Sequence, residues 1–389
     1  MKILLLSSST GGGHDMRARS LAQWAAASEA RPLGIETSRH QALENGAPLY
    51  VFGAGLYNLI QRRLPALHHV YFNVLELFPF CGSARTMPGR AAFQQLVRRA
   101  NPDLVLSTHD HLNHAFLDAA RDAMPGNPPL CGTYCGELSG GYGFSKHWVN
   151  PRADFFIGAV DACTEAARRH GMSPEKSWTG GFLLNPDFWA SPDATSPGRV
   201  AFFCETLRLE PSRFTLLLGT GSNGANNHLA LLNELARARV HPQVIALCGR
   251  NEQARRDIDA WARSNAQIPV RALGYQQHMR QVMDCADLLF ARPGTGTTSE
   301  ALQTGIPIVF NGIGGVMPQE LITLRYCRRF FETLVVRRAR ALPALISQLM
   351  STPDRLATMR SGIVHARPDG HPVRILERLA ALRRVQART

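Results

Sequence analysis

The stretch Arg292-Pro-Gly-Thr-Gly-Thr-Thr-Ser-Glu-Ala-Leu-Gln-Thr-Gly-Ile-Pro-Ile-Val-Phe-Asn-Gly312 decides the fold. An apolar run, Ala286 to Ala291, precedes it and reads as a buried parallel strand. A turn follows at Gly294-Thr295-Gly296, then a helix that opens at Thr297 and ends at Gly305. A new strand, Ile306 to Phe310, starts at once. This is a strand–turn–helix–strand unit with a Gly-rich first turn. Free N–H groups at such a helix start attract anions, phosphates above all. Glu300 stands three residues after Thr297. That spacing fits a capping box, in which Thr297 and Glu300 satisfy each other's backbone N–H groups. It fits equally a carboxylate that accepts both ribose hydroxyls of a nucleotide while the glycines admit its diphosphate. The next loop, Asn311 to Glu320, lies at the carboxyl end of a strand, where open α/β sheets bind ligands. Gln319 and Glu320 suit neighbouring sugar hydroxyls there, or are ordinary polar residues of a surface loop.

Gly294-Thr-Gly-Thr-Thr-Ser-Glu300, Gly305-Ile-Pro-Ile308, Asn311-Gly312 and Pro318-Gln-Glu320 together resemble the donor half of family 28 glycosyltransferases. The likeness is strongest to monogalactosyldiacylglycerol synthases and bacterial processive diacylglycerol glycosyltransferases. Their Gly-Pro-Gly-Thr is Gly294-Thr295-Gly296-Thr297 here, which keeps both glycines and the last Thr. The resemblance implies the α/β GT-B architecture: two doubly wound, Rossmann-like domains facing a cleft, with a C-terminal helix crossing back to the first domain. It implies an N-terminal acceptor and membrane-side domain over 1–190, a nucleotide-sugar donor domain over 199–370 and the crossing helix over 371–389. The implied chemistry is inverting transfer of a hexose from a UDP-sugar to a lipid hydroxyl, of diacylglycerol or glycolipid type. The UDP-sugar is a substrate, and neither cofactor nor metal is implied. Helix N-termini and arginine meet the charge of the leaving diphosphate instead.

At 389 residues the chain exceeds one ordinary core, so two domains are expected. With 45% hydrophobic and 19% charged residues it is globular rather than disordered. The formal charge is +13, and lysine occurs only at Lys2, Lys146 and Lys176, so arginine carries nearly all of it. Such an excess fits nucleic acid, an anionic membrane face or a phosphorylated substrate. Together with the resemblance it points to UDP-sugar, a lipid acceptor and an anionic membrane surface, and away from nucleic acid. The eight cysteines are scattered without a Cys-x-x-Cys pair and read as free thiols of a reducing cytoplasm. No apolar run reaches the ~18 residues of a membrane span, so membrane contact is expected to be peripheral, on the inner face.

Along the chain, Ile3 to Leu6 reads as a buried strand, followed by Ser7-Ser-Ser-Thr-Gly-Gly-Gly-His14. A helix then runs from about Asp15 to Ala27, with Ala18, Leu21, Ala22 and Ala25 on one face. This is not Gly-x-Gly-x-x-Gly, which disfavours a dinucleotide fold. His14 reads either as a histidine packed at a turn or as a general base, since His titrates near neutrality. Gly11-Gly-Gly-His14 is similar to the first glycine loop of the same family. That likeness implies that His14 is the base or an acceptor-binding residue, with the base the reading taken here; Gly12 and Gly13 contact the acceptor, and Asp15 has a minor claim to orient His14.

Tyr50 to Phe80 is rich in aromatic and aliphatic residues, broken by Gln61-Arg62-Arg63 and His68-His69. It reads as one or two amphipathic helices, partly core, or as an interfacial segment. Asp103 to Thr108 is a strand that ends at His109-Asp-His-Leu-Asn-His114. His109, His111 and His114 have zinc-ligand spacing, which leaves a zinc hydrolase as a remote alternative. No second ligand motif follows, and His109 is assigned to the acceptor site. Cys131 to Glu137 follows another short strand. The family often has Thr-Asp where Thr133-Tyr134 stand here, and Glu137 either replaces that carboxylate at the acceptor or is a loop charge. UDP-sugar transfer to a soluble acceptor stays open as the alternative. Ala190 to Gly198 is a Pro-rich linker. Phe214 to Leu218 is the next strand, after a helix over Val200 to Leu207, and Gly219-Thr-Gly-Ser-Asn-Gly224 its phosphate-facing loop. Gly221, Ser222, Arg250, Tyr275, Gly294, Gly296, Thr297, Thr298, Glu300, Gln319 and Glu320 are the donor-binding candidates by the likeness. Tyr275 would stack on the base or cover the sheet edge.

Overall fold

A computed structural model describes residues 1–9, 12–45, 48, 50–53, 55–56, 67–77, 84–190, 201–219 and 227–386. It contains two six-stranded sheets, each parallel throughout. The first holds β1 (Lys2–Ser7), β2 (Glu36–Gln41), β3 (Leu104–Ser107), β4 (Leu130–Cys135), β5 (Phe155–Gly158) and β6 (Ser177–Thr179), in the order β2-β1-β3-β4-β5-β6. The second holds β7 (Thr215–Leu218), β8 (Gln243–Gly249), β9 (Val270–Gly274), β10 (Leu288–Ala291), β11 (Ile308–Asn311) and β12 (Val335–Val336), in the order β12-β11-β10-β7-β8-β9. Helices connect the strands in both. This is the GT-B fold: two Rossmann-like halves, each built of βαβ units.

The strands form where the sequence is continuously apolar. Leu4, Leu5 and Leu6 of β1 and Leu216, Leu217 and Leu218 of β7 are at most 2% exposed, as parallel strands covered on both faces must be. Each sheet has its own core. In the first, Leu4, Leu6 and Val105 pack with Phe93, Val97 and Phe116. In the second, Leu216, Leu218 and Phe290 pack with Leu231, Leu235 and Ile346.

The strand order fixes where ligands bind. In the first sheet the chain leaves β1 for β2 on one side and then β3 on the other, with Ile3 beside Leu104 and Leu6 beside Ser107. In the second it runs from β7 to β9 on one side and returns to place β10 against the other flank of β7, with Leu288 beside Leu216. Crevices open at such reversals, beyond the carboxyl ends of the strands. His14 and His109 follow the two strands at the first reversal. The Gly294 motif follows one of the two strands at the second.

Two compact units result. The first comprises Met1–Pro186, Met317–Ile322 and Pro368–Thr389; the second comprises Asp187–Val316 and Thr323–Arg367. The short segment carrying Gln319 and Glu320 therefore groups with the first unit. The C-terminal helix Pro372–Gln386 also belongs there. Ile375, Leu376 and Leu379 are buried, Arg378 lies 4.1 Å over the Trp178 ring, and Arg383 pairs with Asp103 at 3.1 Å.

Several expectations shift. The helix expected over Val200 to Leu207 is a short π-helical turn, Phe202–Thr206. The stretch Tyr50 to Phe80 contains the helix His68–Leu77. Tyr57, Gln61, Arg62, Arg63, Phe78 and Phe80, and the linker after Ala190, lie outside the described residues.

Candidate active site

A cavity with about 800 Å³ of empty volume, its mouth included, opens in the first unit. Its polar end is made by residues that follow three adjacent strands. His14 comes after β1, His109, Asp110 and His111 after β3, and Glu137 after β4. Its apolar wall is the helix His68–Leu77, which turns Tyr71, Phe72 and Leu75 to the cavity. Trp148 and Gln319 complete the lining.

His14 is placed by a short chain of causes. Gly12 caps the following helix at φ 76°, a left-handed conformation that favours glycine. Gly13 and His14 are the first two residues of that helix, Gly13–Ala26. His14 Nδ1 then lies 2.7 Å from the Thr108 carbonyl, and Thr108 Oγ1 donates back to the His14 carbonyl at 3.0 Å. A carbonyl only accepts, so Nδ1 carries the proton and the lone pair resides on Nε2. Burial first, then the neighbouring His109 and Arg17, pull the His14 pKa well below 6.5. At neutral pH the ring is an uncharged base.

Asp15 does not orient it. The Asp15 carboxylate accepts from Ser7 Oγ at 3.1 Å and pairs with Arg19 at 2.6 Å, four residues along the helix.

The His109 ring sits 4.3 Å from the His14 ring, centroid to centroid. Its Nδ1 is 3.0 Å from Asp110 Oδ1, which also receives the His111 N–H at 3.0 Å. Burial opposes charge on Asp110, but the surrounding imidazoles and the His109 hydrogen bond hold its carboxyl well below the usual carboxylate range. Burial pulls His111 down to about 4. His109, His111 and His114 do not converge. His111 and His114 each pack on the ring of His147 instead, at 5.5 and 6.2 Å. Among the described residues no group of three His, Cys, Asp or Glu is arranged to hold a metal ion. Asn113 ties the site together: its Oδ1 accepts from Thr133, and its Nδ2 reaches the carbonyls of His147 and Trp148.

Glu137 lines the cavity and is 7% exposed. Burial raises its pKa to about 7, although Arg17 pulls the other way. Arg17, Asp110, Tyr71 and Trp148 were not singled out in the sequence. Arg17 had a legible signal, an arginine three residues after His14 on the same helix. The others come together only through the fold.

Gln319 and Glu320 are in the first turn of a helix, Pro318–Cys327, rather than in a loop. Glu320 is 2% exposed, and its Oε2 accepts from the Met317 N–H at 2.8 Å. Proline at the first helical position and glutamate at the third form the start of this helix.

In the second unit, the helix after β10 is Thr295–Thr304, capped by Gly294 with no side-chain bond. Thr297 is therefore inside the helix, and the Thr297–Glu300 capping box does not form. Gly294 has φ −73°, and a Cβ there would meet nothing within 4 Å. Neither conformation nor packing demands glycine at 294. Thr298 is fully buried, and its Oγ1 has no hydrogen-bond partner among the described residues. Arg292 donates to the carbonyls of Ile313 and Gly315, at 3.1 and 2.7 Å, and fixes the loop after β11. Arg250, just after β8, lies 5.4 Å over the ring of Tyr275, just after β9. Gly221 and Ser222 lie outside the described residues.

Residues 215–311, which span β7 to β11, match the glycosyltransferase family 28 C-terminal domain. The second unit carries a family 28 glycosyltransferase domain. A processive diacylglycerol beta-glucosyltransferase of Staphylococcus saprophyticus is 23% identical over 272 residues, which cover 70% of this chain and 65% of that one. The chain thus spans just under two thirds of that relative's length. A processive diacylglycerol beta-glucosyltransferase of Bacillus licheniformis is 21% identical over 386 residues, 93% of this chain and 90% of that one. Among solved structures, Anabaena Alr3699/HepE in complex with UDP-glucose superposes with a TM-score of 0.53 and 16% identity, over 98% of both chains. That likeness establishes the fold.

Proposed function

We propose that the protein is an inverting glycosyltransferase that moves a hexose from a UDP-sugar to the hydroxyl of a lipid acceptor. The observation that carries this is His14. It is an uncharged imidazole whose Nδ1–H is committed to Thr108 and whose Nε2 is left to take a proton, beside a cavity with one polar end and one apolar wall. In the proposed step Nε2 removes the proton of the acceptor hydroxyl. The oxygen attacks the anomeric carbon, the bond from that carbon to the diphosphate oxygen breaks, and UDP leaves with its electron pair. His109 and Glu137 contact the acceptor, and Gly12 and Gly13 bring the backbone close to it.

The donor is assigned to the family 28 unit. The N–H groups at the start of the Thr295 helix, with Gly296, Thr297 and Thr298 in its first two turns, face the diphosphate. The unfilled space at Gly294 lets it approach. Glu300 holds the ribose, and Arg250 and Tyr275 flank the base. Gly221 and Ser222 are retained on the family resemblance alone. Gln319 and Glu320 take the sugar, and Glu320 also holds its own helix start. The buried Thr298 hydroxyl supplies a test with two signs. Thr298→Val removes an unpaired buried oxygen, so the free protein should melt no lower, and be more stable by up to about 1 kcal/mol. UDP affinity should fall about tenfold, the scale of one lost hydrogen bond to a charged group. A lower melting temperature with unchanged UDP affinity would show that the hydroxyl serves the fold instead.

No helix among the described residues is long and apolar enough to cross a membrane. The first unit nevertheless exposes Phe52 (69%), Val70 (63%) and Leu77 (73%), all within the aromatic stretch around the cavity wall. These residues and the +13 charge support peripheral contact with an anionic membrane, on the cytoplasmic face. The test is incubation with UDP-hexoses and anionic vesicles that contain diacylglycerol or monohexosyl diacylglycerol, at low and high salt. Glycolipid product and salt-sensitive sedimentation with the vesicles are expected. Transfer to soluble alcohols but to no lipid would replace the lipid acceptor with a soluble one.

A further inference from the structure

The acceptor contact assigned to Glu137 carries a specific chemical demand. Glu137 follows β4, lines the cavity and is more than nine-tenths buried. Its Oε2 is buried with no hydrogen-bond partner among the described residues. Buried carboxylate oxygens are rarely left so, because losing water without gaining a donor is unfavourable. The neighbouring positive charge is Arg17, whose Nη2 donates to the Gly136 carbonyl at 3.0 Å. The same cavity holds His14 and is walled by Tyr71, Phe72 and Leu75. It therefore has two places for hydroxyls and one for an apolar body.

We propose that Glu137 accepts a hydrogen bond from a second hydroxyl of the acceptor, so that the preferred acceptor is an amphiphile with two or more hydroxyls on its head. This rests on the acceptor reading given above and narrows it. A diacylglycerol has a single hydroxyl. If that hydroxyl goes to His14, the lipid fills the cavity and leaves Oε2 dry and unpaired. A sugar or polyol head offers a second hydroxyl to it. Sites built to bond a substrate hydroxyl discriminate strongly against analogues that lack it, because the protein group is stranded. A hydroxyl also suits Glu137 in either protonation state, since it both donates and accepts. That matters for a carboxyl that burial has raised to about 7.

The test compares hexyl glucoside with 1-hexanol, which share an apolar tail and differ in the hydroxylated head. Binding to the full chain is followed by the fluorescence of Trp148, which lines the cavity. The wild type should bind the glucoside at least about tenfold more tightly. Glu137→Leu should abolish that preference, and Glu137→Gln, which keeps an acceptor oxygen, should retain part of it. Both variants should melt no lower than the wild type and keep its UDP affinity, which separates a lost contact from a lost fold. Equal binding of the two probes by the wild type, or an undiminished preference in Glu137→Leu, overturns the proposal. Transfer assays with diacylglycerol and monohexosyl diacylglycerol report separately. If neither lipid is glycosylated, the lipid-transfer reading fails, while the probe binding still decides the role of Glu137.

Discussion

Replacing His14 with alanine should lower the transfer rate by about 10²–10⁴, the usual loss for a general base, with UDP affinity unchanged. The expectation follows from placement. His14 lies in the first unit, after β1, whereas the family 28 match covers residues of the second. Its ring is oriented by the Thr108 carbonyl and packed against His109 and Trp148, with centroids at 4.3 and 5.7 Å. The pH profile adds a sign. The base works deprotonated, and burial first, then the neighbouring His109 and Arg17, hold its pKa well below 6.5. Activity of the wild type should therefore persist through pH 6.5 and fall only on further acidification, as the imidazole gains a proton. In His14→Ala that acidic limb should vanish. Steady-state kinetics between pH 4.5 and 8, with UDP titrations on the same samples, measure both quantities. Near-normal turnover with the acidic limb intact would rule His14 out and bring His109 or Glu137 forward.

Much of this arrangement was legible because the parallel strands are buried on both faces and their sequences say so. Leu4-Leu5-Leu6, Leu104-Val105-Leu106 and Leu216-Leu217-Leu218 are unbroken apolar runs. β2 was not legible. It is Glu36-Thr-Ser-Arg-His-Gln41, a polar strand at the edge of the first sheet with only one strand beside it. Its partner is β1, and strand pairing through the backbone leaves no apolar pattern to read. Helix starts misled in two places. The Thr297–Glu300 spacing suggested a cap, but the cap lies three residues earlier, at Gly294, where an extended residue already begins the helix. Conversely, Met317-Pro-Gln-Glu320 has a proline and a glutamate at the first and third helical positions, yet it reads from the sequence as the end of the loop after a strand. The cavity of the first unit was half legible. His14, His109 and Glu137 follow strands and could be assigned singly. Asp110 and Trp148 became part of the site through the packing of loops after β3 and β4, which no local pattern encodes.

The correction at Gly294 sharpens what Glu300→Ala should do. Had Glu300 been the far half of a capping box, its loss would have cost the fold about 1 kcal/mol and spared the ligand. In the structure Gly294 is the cap residue and Thr295 the first of the helix, so Glu300 is the sixth. That lies past the first turn, where neither free N–H groups nor the helix dipole has much hold on a carboxylate. No helix cap is therefore lost with it. Removal of a carboxylate that accepts ribose hydroxyls should cost roughly 1.5–3 kcal/mol of binding, about 10- to 150-fold in the Kd for UDP. The ribose also supplies an internal control, because 2′-deoxy-UDP lacks one of the two hydroxyls. It should bind the wild type more weakly than UDP does, while Glu300→Ala should bind the two nearly alike. Titration calorimetry of both nucleotides against both proteins gives the four constants. A variant that still prefers UDP to its 2′-deoxy form as strongly as the wild type would remove Glu300 from the ribose, whatever its effect on overall affinity.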